Sequence, residues 1–395
     1  MTDHVQTGLD RLLGDEQLLQ SLRGARVGLL ANPTCVTRDL RHGLDALVER
    51  DVEIVRLFGP EHGVRSEAQD MEAVDQSVDD LTGIPVVSLY GTSHDSLRPD
   101  RDTIRDLDIV LADIQDVGSR YYTYASTIGF MMEACGKAGT EVWVLDRPNP
   151  IGGHLVEGNV VTEGLFSFVG TQPIANRHGM TIGELATYFD RFGGWECDLT
   201  VVKMEGWSRS MWYDETGLPW VLPSPNMPTL ETATVYPGLC LLEGTNASEG
   251  RGTTRPFEFF GAPYVDSRAL RRRLEQFELP GVGFREAAFR PMFQKHGGET
   301  CFGVQVHVTN RETFDSLATG YAVISALCRR FPDGFDWRRH AYEFVDDELA
   351  IDLLLGNADL RRALVSGEDP VELAEQAYRD SAAFRARREQ CLLYE

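Results

Sequence analysis

An alternation of short apolar runs and helix-like segments over the first 150 residues is the feature that most constrains the fold. The apolar runs are rich in Val, Ile and Leu and lie at residues 26–31, 52–58, 84–90, 107–114 and 140–145. Apolar strands separated by segments with polar faces are typical of a parallel sheet that is covered on both sides. The sequence therefore predicts an α/β fold with a Rossmann-like, doubly wound parallel sheet in its N-terminal domain.

The second half of the chain shows a looser pattern, which predicts a second, mixed α/β domain. Its expected elements are a helix at 181–192, strands at 199–204, 284–289 and 302–308, a helix at 313–330 and a helical tail from 337. A chain of 395 residues is longer than one core usually grows. We therefore expect a catalytic domain at 1–165 and a domain at 166–395 that closes a substrate cleft between the two.

Composition narrows the possible partners. The net charge of −23 argues against nucleic acid or an anionic membrane, because binding to either requires a basic patch. The seven cysteines are never spaced as CxxC, which argues against a disulfide framework or a structural zinc site. The sequence shows neither an export signal nor an apolar run of about 20 residues, so we expect a cytoplasmic protein. It does not indicate an oligomeric state.

Three polar motifs each follow a predicted strand: GPEHG at 59–63, DIQDVG at 113–118 and DRPNP at 146–150. In an open parallel sheet, ligands bind outside the carboxyl ends of the strands. A helix predicted at 121–137 begins just after the second motif, and its N-terminal amides would attract negative charge. These motifs predict one cleft and an enzyme active site.

The chain lacks the phosphate-loop, HExxH, GxGxxG, GxSxG and SxxK patterns, and its motifs are instead rich in carboxylates, Arg, Asn and aromatics. These residue types suit glycoside hydrolysis, in which a carboxylic acid protonates the oxygen of the leaving group. Glu61 is the candidate acid, because partial desolvation in a turn after an apolar strand favours the protonated form. Alternatively, Glu61 caps a helix or pairs with an Arg. His62 could orient Glu61 or bind a sugar hydroxyl, or simply satisfy local backbone.

Two loops of the second half are expected to close the cleft, at 223–228 and 249–258. Glycines on both sides of Arg251 would let the backbone approach a ligand while the guanidinium grips a carboxylate. The alternative is a structural loop in which Arg251 pairs with Glu249 or Glu258.

Six motifs follow one another along nearly the whole chain: LFGPEHG at 57–63, DIQDVG with RYYTY at 113–124, DRPNP at 146–150, HGMT at 178–181, SPNMP at 224–228 and EGRGT at 249–253. Together they resemble the NamZ-type exo-β-N-acetylmuramidases. The resemblance implies an exo-acting glycosidase that releases N-acetylmuramic acid, or a related N-acetylated amino sugar, from the non-reducing end of peptidoglycan-derived fragments. It also implies Glu61 as general acid/base and no cofactor. In the cytoplasm, the substrate would be an imported fragment.

The motifs also supply the expected site residues. The expected catalytic residues are Glu61, His62 and Asp116. The expected substrate-binding residues are Gln115, Arg120, Tyr121, Tyr122, Asp146, Arg147, Asn149, Asn226, Glu249, Arg251 and Thr253. The lactyl carboxylate of a muramic substrate should meet an arginine, for which the candidates in order are Arg147, Arg251, Arg120 and Arg65. The mechanism is expected to be either retaining or assisted by the substrate's own acetamide, which Asp116 or Glu249 would then polarise.

Two alternatives stay open at this point. Asp113, Asp116, Asp146 and His62 could hold a divalent metal, because carboxylates at strand ends are common ligands of hard cations. The chain could also be a non-catalytic sugar-binding protein, since a cleft between two α/β domains suits solute capture.

Overall fold

The computed structural model describes residues 4–64, 77–79 and 81–395. Its strands are β1 (Val27–Ala31), β2 (Ile54–Gly59), β3 (Ser77–Val78), β4 (Pro85–Ser88), β5 (Ile109–Asp113), β6 (Glu141–Leu145), β7 (Leu199–Val202), β8 (Phe259–Ala262), β9 (Val282–Phe289) and β10 (Cys301–Val308). Its α-helices are α1 (Gly8–Gly14), α2 (Glu16–Leu22), α3 (Gly43–Val48), α4 (Tyr124–Ala138), α5 (Ile182–Phe192), α6 (Leu230–Leu239), α7 (Ser267–Glu275), α8 (Ser316–Arg330), α9 (Ala350–Leu355), α10 (Ala358–Ser366), α11 (Pro370–Asp380) and α12 (Ala382–Arg388).

The larger sheet has the strand order β3-β4-β2-β1-β5-β6-β7 among the described residues. All neighbouring strands are parallel except β3, which pairs antiparallel with β4 at one edge. The first strand, β1, lies in the middle of this sheet, with β2, β4 and β3 on one side of it and β5, β6 and β7 on the other. The predicted α/β fold with a doubly wound parallel sheet is therefore confirmed.

Strand β5 shows why this sheet forms. Val110 and Ala112 face one apolar core, whereas Ile109 and Leu111 face another on the opposite side of the sheet. Successive side chains of a strand point to opposite faces, so a continuous apolar run is stable only where both faces are covered. All five positions of β5 are buried, which agrees with the coverage expected from its sequence.

The larger sheet continues past residue 165. Strand β7 pairs in parallel with β6, and helix α5 packs against both strands. The domain boundary near residue 165 stays a prediction.

The smaller sheet is antiparallel, in the order β8-β10-β9. Strands β9 and β10 correspond to the pair predicted from the sequence, and α7 packs on both. Helices α6 and α8 cross where Gly238 and Gly320 meet: a Cβ atom on Gly320 would overlap the carbonyl oxygen of Gly238. None of the helices in the described ranges is long and apolar enough to cross a membrane.

Candidate active site

A cavity brings segments that follow β2 and β5 together with segments from the second half of the chain. The described residues that line it are Glu61, His62, Tyr121, Tyr122, Thr123, Tyr124, Val169, Ser224, Asn226, Met227, Tyr236, Glu243, Arg251, Phe257, Tyr342 and Glu343. The cavity thus unites the GPEHG turn, the start of α4, the loop at 223–228 and the glycine-flanked Arg251.

The turn after β2 directs Glu61 into this cavity. The amide of Gly63 donates to the carbonyl of Pro60 at 2.9 Å, and His62 adopts the left-handed conformation with φ of 72°. The Glu61 side chain is buried, and its Oε2 accepts a hydrogen bond of 2.7 Å from the Thr123 hydroxyl. Nε2 of His62 lies 4.0 Å from Oε1 of Glu61, too far for a direct hydrogen bond. Both side chains therefore face one space, with the carboxylate oriented by Thr123.

The loop at 223–228 packs against the same turn. The Tyr124 hydroxyl donates to the carbonyl of Pro223 at 2.7 Å and lies 3.4 Å from the carbonyl oxygen of Glu61. Ser224 and Asn226, in the same loop, line the cavity. One tyrosine at the start of α4 thus joins both segments that the sequence assigned to the cleft.

Arg251 contributes a buried cation to the cavity. Its Nη2 donates to Oε1 of Glu243 at 2.7 Å, and its Nε lies 3.5 Å from Oε1 of Glu249. The guanidinium carbon is 5.1 Å from the centroid of the Phe257 ring. Glu258 instead accepts from the Thr232 hydroxyl at 2.8 Å and pairs with Arg255 at 3.4 Å. The arginine therefore meets one of the two carboxylates expected from the sequence, Glu249, and one that was not expected, Glu243.

Glu243 forms a buried ion pair with Arg251. Burial alone would raise the pKa of Glu243, but the Arg251 guanidinium and a hydrogen bond from Tyr342 outweigh burial and hold that pKa below its usual value. The Tyr342 hydroxyl donates to Oε2 of Glu243 at 2.6 Å. The wall of the cavity around Arg251 therefore carries charges of both signs.

Asp116 is buried and is not among the lining residues. Its Oδ2 accepts from the amide of Gly118 at 2.5 Å and lies 3.2 Å from Nε2 of His178. Nδ1 of His178 accepts from the amide of Met180 at 3.2 Å, so in the neutral ring the proton is on Nε2, which makes no aligned hydrogen bond to Asp116 or to any other described residue. Oδ1 of Asp116 is buried and has no hydrogen-bond partner in the described part of the chain.

Tyr122 lines the cavity and lies close to Asp116. Burial raises the pKa of Tyr122 well above its usual range, and the nearby charges of Asp116 and Glu61 add to the rise. Its buried hydroxyl makes no well-aligned hydrogen bond among the residues described, although Ser224 lies near enough to lower the pKa of Tyr122 in part. A lining phenol therefore sits close to both carboxyl groups that the sequence assigned to catalysis.

Two of the predicted arginines are committed to other contacts. Nη2 of Arg147 donates to Oδ2 of Asp113 at 2.8 Å and to the carbonyl of Val36 at 3.2 Å, and both side chains of the ion pair are buried. Arg120 donates to three backbone carbonyls at 2.7 to 2.9 Å, those of Asn159, Ile174 and Leu354. Neither arginine lines the cavity, and Arg65 lies outside the described residues.

Five further predicted residues are also absent from the lining, and each has its own partners. Two of them are carboxylates that accept: Asp146 accepts from the Tyr394 hydroxyl at 2.6 Å, and Glu249 accepts from Lys295 at 2.9 Å. The other three donate to backbone carbonyls. Asn149 donates to Met180 at 2.9 Å, Gln115 to Pro148 at 2.8 Å and Thr253 to Gly250 at 2.6 Å. The structure thus unites Glu61, His62, Tyr121, Tyr122, Asn226 and Arg251 in the cavity, and places the other predicted residues in the surrounding framework.

Within the described ranges, no group of three or more Asp, Glu, His or Cys side chains is arranged to hold a metal ion. The four residues of the metal alternative therefore do not converge: Asp113 pairs with Arg147, for example, and Asp146 accepts from Thr181 at 2.8 Å.

Five lining residues lie outside the motifs and loops expected from the sequence: Val169, Tyr236, Glu243, Tyr342 and Glu343. The sequence does contain a sign that Glu243 is buried, since it is the lone charged residue in the apolar run CLLEG at 240–244. Glu343 had none: it lies in a tail expected to be helical, yet it adopts a left-handed φ of 48° and accepts from the Tyr90 hydroxyl at 3.0 Å.

Comparison with known proteins assigns this arrangement to a family. Residues 27–231 match the family model of the exo-β-N-acetylmuramidase NamZ N-terminal domain, and residues 234–394 match that of its C-terminal domain. The chain belongs to the NamZ family. The resemblance predicted from the six motifs is confirmed, and this NamZ-family protein is a glycosidase.

Relatives of this NamZ-family chain include a curated enzyme and solved structures. The chain is 44% identical over 391 residues to the peptidoglycan β-N-acetylmuramidase NamZ of Bacillus subtilis (strain 168), covering 99% of this chain and 91% of that protein. It is also similar to crystal structures of two DUF1343 family proteins from Bacteroides fragilis NCTC 9343. The first has a TM-score of 0.87 and 35% identity over 100% of both chains, and the second has a TM-score of 0.75 and 28% identity over 99% of both.

Proposed function

We propose that this NamZ-family glycosidase releases N-acetylmuramic acid, or a related N-acetylated amino sugar, from the non-reducing end of peptidoglycan-derived fragments. The main support is that the buried Glu61 carboxyl and the buried Arg251 guanidinium line the same cavity. The reaction needs a proton for the leaving oxygen, and a muramic sugar carries a carboxylate that a cation can bind. The Bacillus subtilis relative is named for that sugar and for peptidoglycan.

Glu61 is the proposed general acid/base. The Thr123 hydroxyl holds one carboxyl oxygen, so the other can be presented to the glycosidic oxygen. A positioned carboxyl group of this kind accelerates proton transfer by about 10²–10⁴-fold. His62 lines the same cavity and is proposed to bind a sugar hydroxyl or to orient Glu61.

Arg251 is the proposed receptor for the lactyl carboxylate. Arg147, the first candidate from the sequence, is occupied by Asp113, and Arg120 by backbone carbonyls. Arg251 lines the cavity, where a planar guanidinium can bind a second carboxylate alongside Glu243.

Asp116 is proposed to support a substrate-assisted mechanism indirectly, through Tyr122, because Asp116 itself does not line the cavity. Its Oδ2 is held by Gly118 and faces His178, whereas Oδ1 is buried without a partner among the described residues. Tyr122, which lines the cavity close to Asp116, is the group through which that carboxylate would act on the 2-acetamido group. The cytoplasmic location stays a prediction.

The test compares 4-nitrophenyl N-acetyl-β-muramide, the matching N-acetylglucosaminide and the natural disaccharide of N-acetylmuramic acid and N-acetylglucosamine. We expect turnover of both muramic substrates and little of the glucosaminide. Glu61→Gln should reduce kcat on the disaccharide by about 10²–10⁴-fold, and less on the nitrophenyl glycoside, because nitrophenolate leaves without a proton. Exposed Glu53→Gln is the matched control. Full disaccharide turnover by Glu61→Gln would exclude Glu61 as the acid.

A further inference from the structure

Lys295 is one of only three lysines in the chain and lies beside the loop at 249–258, which carries Arg251. Its ammonium donates to the carbonyl of Leu242 at 2.8 Å, to that of Ala247 at 3.2 Å and to Oε2 of Glu249 at 2.9 Å. An ammonium group has three donors, and here each has an acceptor. The lysine therefore fixes both the backbone and one carboxylate of the segment that leads to Arg251.

Beyond Lys295, charges alternate toward the cavity. The other oxygen of Glu249 lies 3.5 Å from Nε of Arg251, and Nη2 of Arg251 donates to Glu243 at 2.7 Å. Both glutamates are buried, and Arg251 and Glu243 line the cavity. A row of four charged groups therefore leads to the cavity, in the order Lys295, Glu249, Arg251 and Glu243. Two of the charges are positive and two are negative, so the row has no net charge.

The neutrality depends on Lys295. Without its ammonium, the guanidinium of Arg251 would stand between two buried carboxylates, and the row would carry one net negative charge. Such a row repels a third carboxylate, and the repulsion is strong because buried charges are poorly screened. With Lys295 in place, the charge of Glu249 is compensated by the lysine, and Arg251 can attract an anion.

We infer that Lys295 is a positioning residue that sets the specificity of this site for a sugar bearing a carboxylate. The inference rests on the proposed function, in which Arg251 binds the lactyl carboxylate. Lys295 acts through Glu249 and Arg251 without itself lining the cavity. It thereby makes the Arg251 site suited to an anionic sugar.

The segment that carries Lys295 is anchored independently of its ammonium. The amide of Met292 donates to the carbonyl of Gly252 at 2.9 Å, and Nε2 of His296 lies 2.8 Å from the carbonyl oxygen of Asn246. Lys295→Met keeps the approximate length of the side chain and these anchors, while it removes the charge and the hydrogen bonds to the carbonyls of Leu242 and Ala247. The comparison of an acidic with a neutral ligand then separates the electrostatic role from the structural one.

The experiment measures turnover of 4-nitrophenyl N-acetyl-β-muramide and inhibition by its neutral lactyl carboxamide. For Lys295→Met we expect KM for the muramide to rise by about 10–100-fold while kcat changes less than about threefold. The inhibition constant of the carboxamide should stay near that of the wild type. Lys295→Arg should retain most of the affinity for the acid.

A double variant tests whether charge is the cause. Lys295→Met with Glu249→Gln removes one cation and one carboxylate, which restores neutrality, so its KM for the muramide should return to within a few fold of that of Glu249→Gln alone. An equal loss of affinity for the acid and the carboxamide in Lys295→Met, or no rescue in the double variant, would overturn the inference. A wild type that neither binds nor turns over the muramide would instead overturn the proposed function.

Discussion

The hydroxyl of Thr123 donates a hydrogen bond of 2.7 Å to Oε2 of Glu61. Glu61 lies in the turn after β2, and Thr123 immediately precedes α4, so the bond joins two segments that are 62 positions apart. The Thr123 side chain does not cap its own helix. Its donor is instead directed at the carboxyl group, which orients the proposed acid toward the cavity.

Thr123→Val should lower kcat on the disaccharide by about tenfold or more, because a hydrogen bond to a carboxylate contributes about 1.5–3 kcal/mol. Valine has nearly the same shape, so the packing at the start of α4 should be retained. Thr123→Ser keeps the hydroxyl and should keep most of the activity. Steady-state kinetics of both variants is the measurement, and wild-type kcat in Thr123→Val would show that the bond does not orient the acid.

The position of Glu61 could be predicted from the sequence because it depends on a general rule of topology. Apolar runs specified the parallel strands, and the carboxyl ends of such strands meet at one edge of the sheet. The GPEHG turn and the start of α4 lie at this edge in the structure, and Thr123 and Glu61 are in direct contact there.

Other parts of the site could not be predicted because they depend on long-range pairing. Arg147 looks like a ligand-binding residue in the sequence, but only the fold shows that Asp113, at the end of the neighbouring strand, occupies its guanidinium. Tyr342 reaches Glu243 from 99 positions away, through a tail whose left-handed residues carry no glycine signal. The spacing of apolar residues predicts whether a segment is a helix or a strand, but it does not predict which buried polar groups pair with one another.

Arg147→Met should destabilise the protein by about 3–5 kcal/mol, because it leaves the Asp113 carboxylate buried and unpaired. Urea denaturation of the variant is the measurement. Arg362→Met is the control: Arg362 pairs with Asp359 on the surface, where such a pair contributes at most about 1 kcal/mol. If Arg147→Met kept wild-type stability but lost affinity for the muramide, Arg147 would be a substrate ligand after all.

Gly320→Ala should destabilise the protein by about 1–3 kcal/mol or more, because the added methyl group would force α8 away from the backbone of α6 at Gly238. The midpoint and slope of urea denaturation would show the loss. Gly14→Ala is the matched control, since Gly14 is the last residue of α1 and a Cβ atom there meets nothing within 4 Å. Equal stability of the two variants would contradict the close crossing of α6 and α8.

Asp315 caps the start of α8, where its Oδ1 accepts from the amide of Ala318 at 2.8 Å. Burial raises the pKa of Asp315 to about 7, and the neighbouring charge of Glu157 adds to the rise. The folded state therefore keeps a proton that the unfolded chain releases near pH 4. Because the folded state binds more protons between about pH 4 and 7, this group lowers the free energy of unfolding as the pH rises through that window.

Asp315→Asn should therefore gain stability relative to the wild type as the pH is raised from about 4 to 7.5, by at most roughly 4 kcal/mol. The asparagine oxygen can still accept from Ala318, so the cap is retained while the titrating group is removed. Urea denaturation at several pH values measures the difference. Asp266→Asn is the matched control, because Asp266 caps α7 in the same way but is exposed. If both variants differed from the wild type by the same amount at every pH, the partly buried cap would not be the source of the pH dependence.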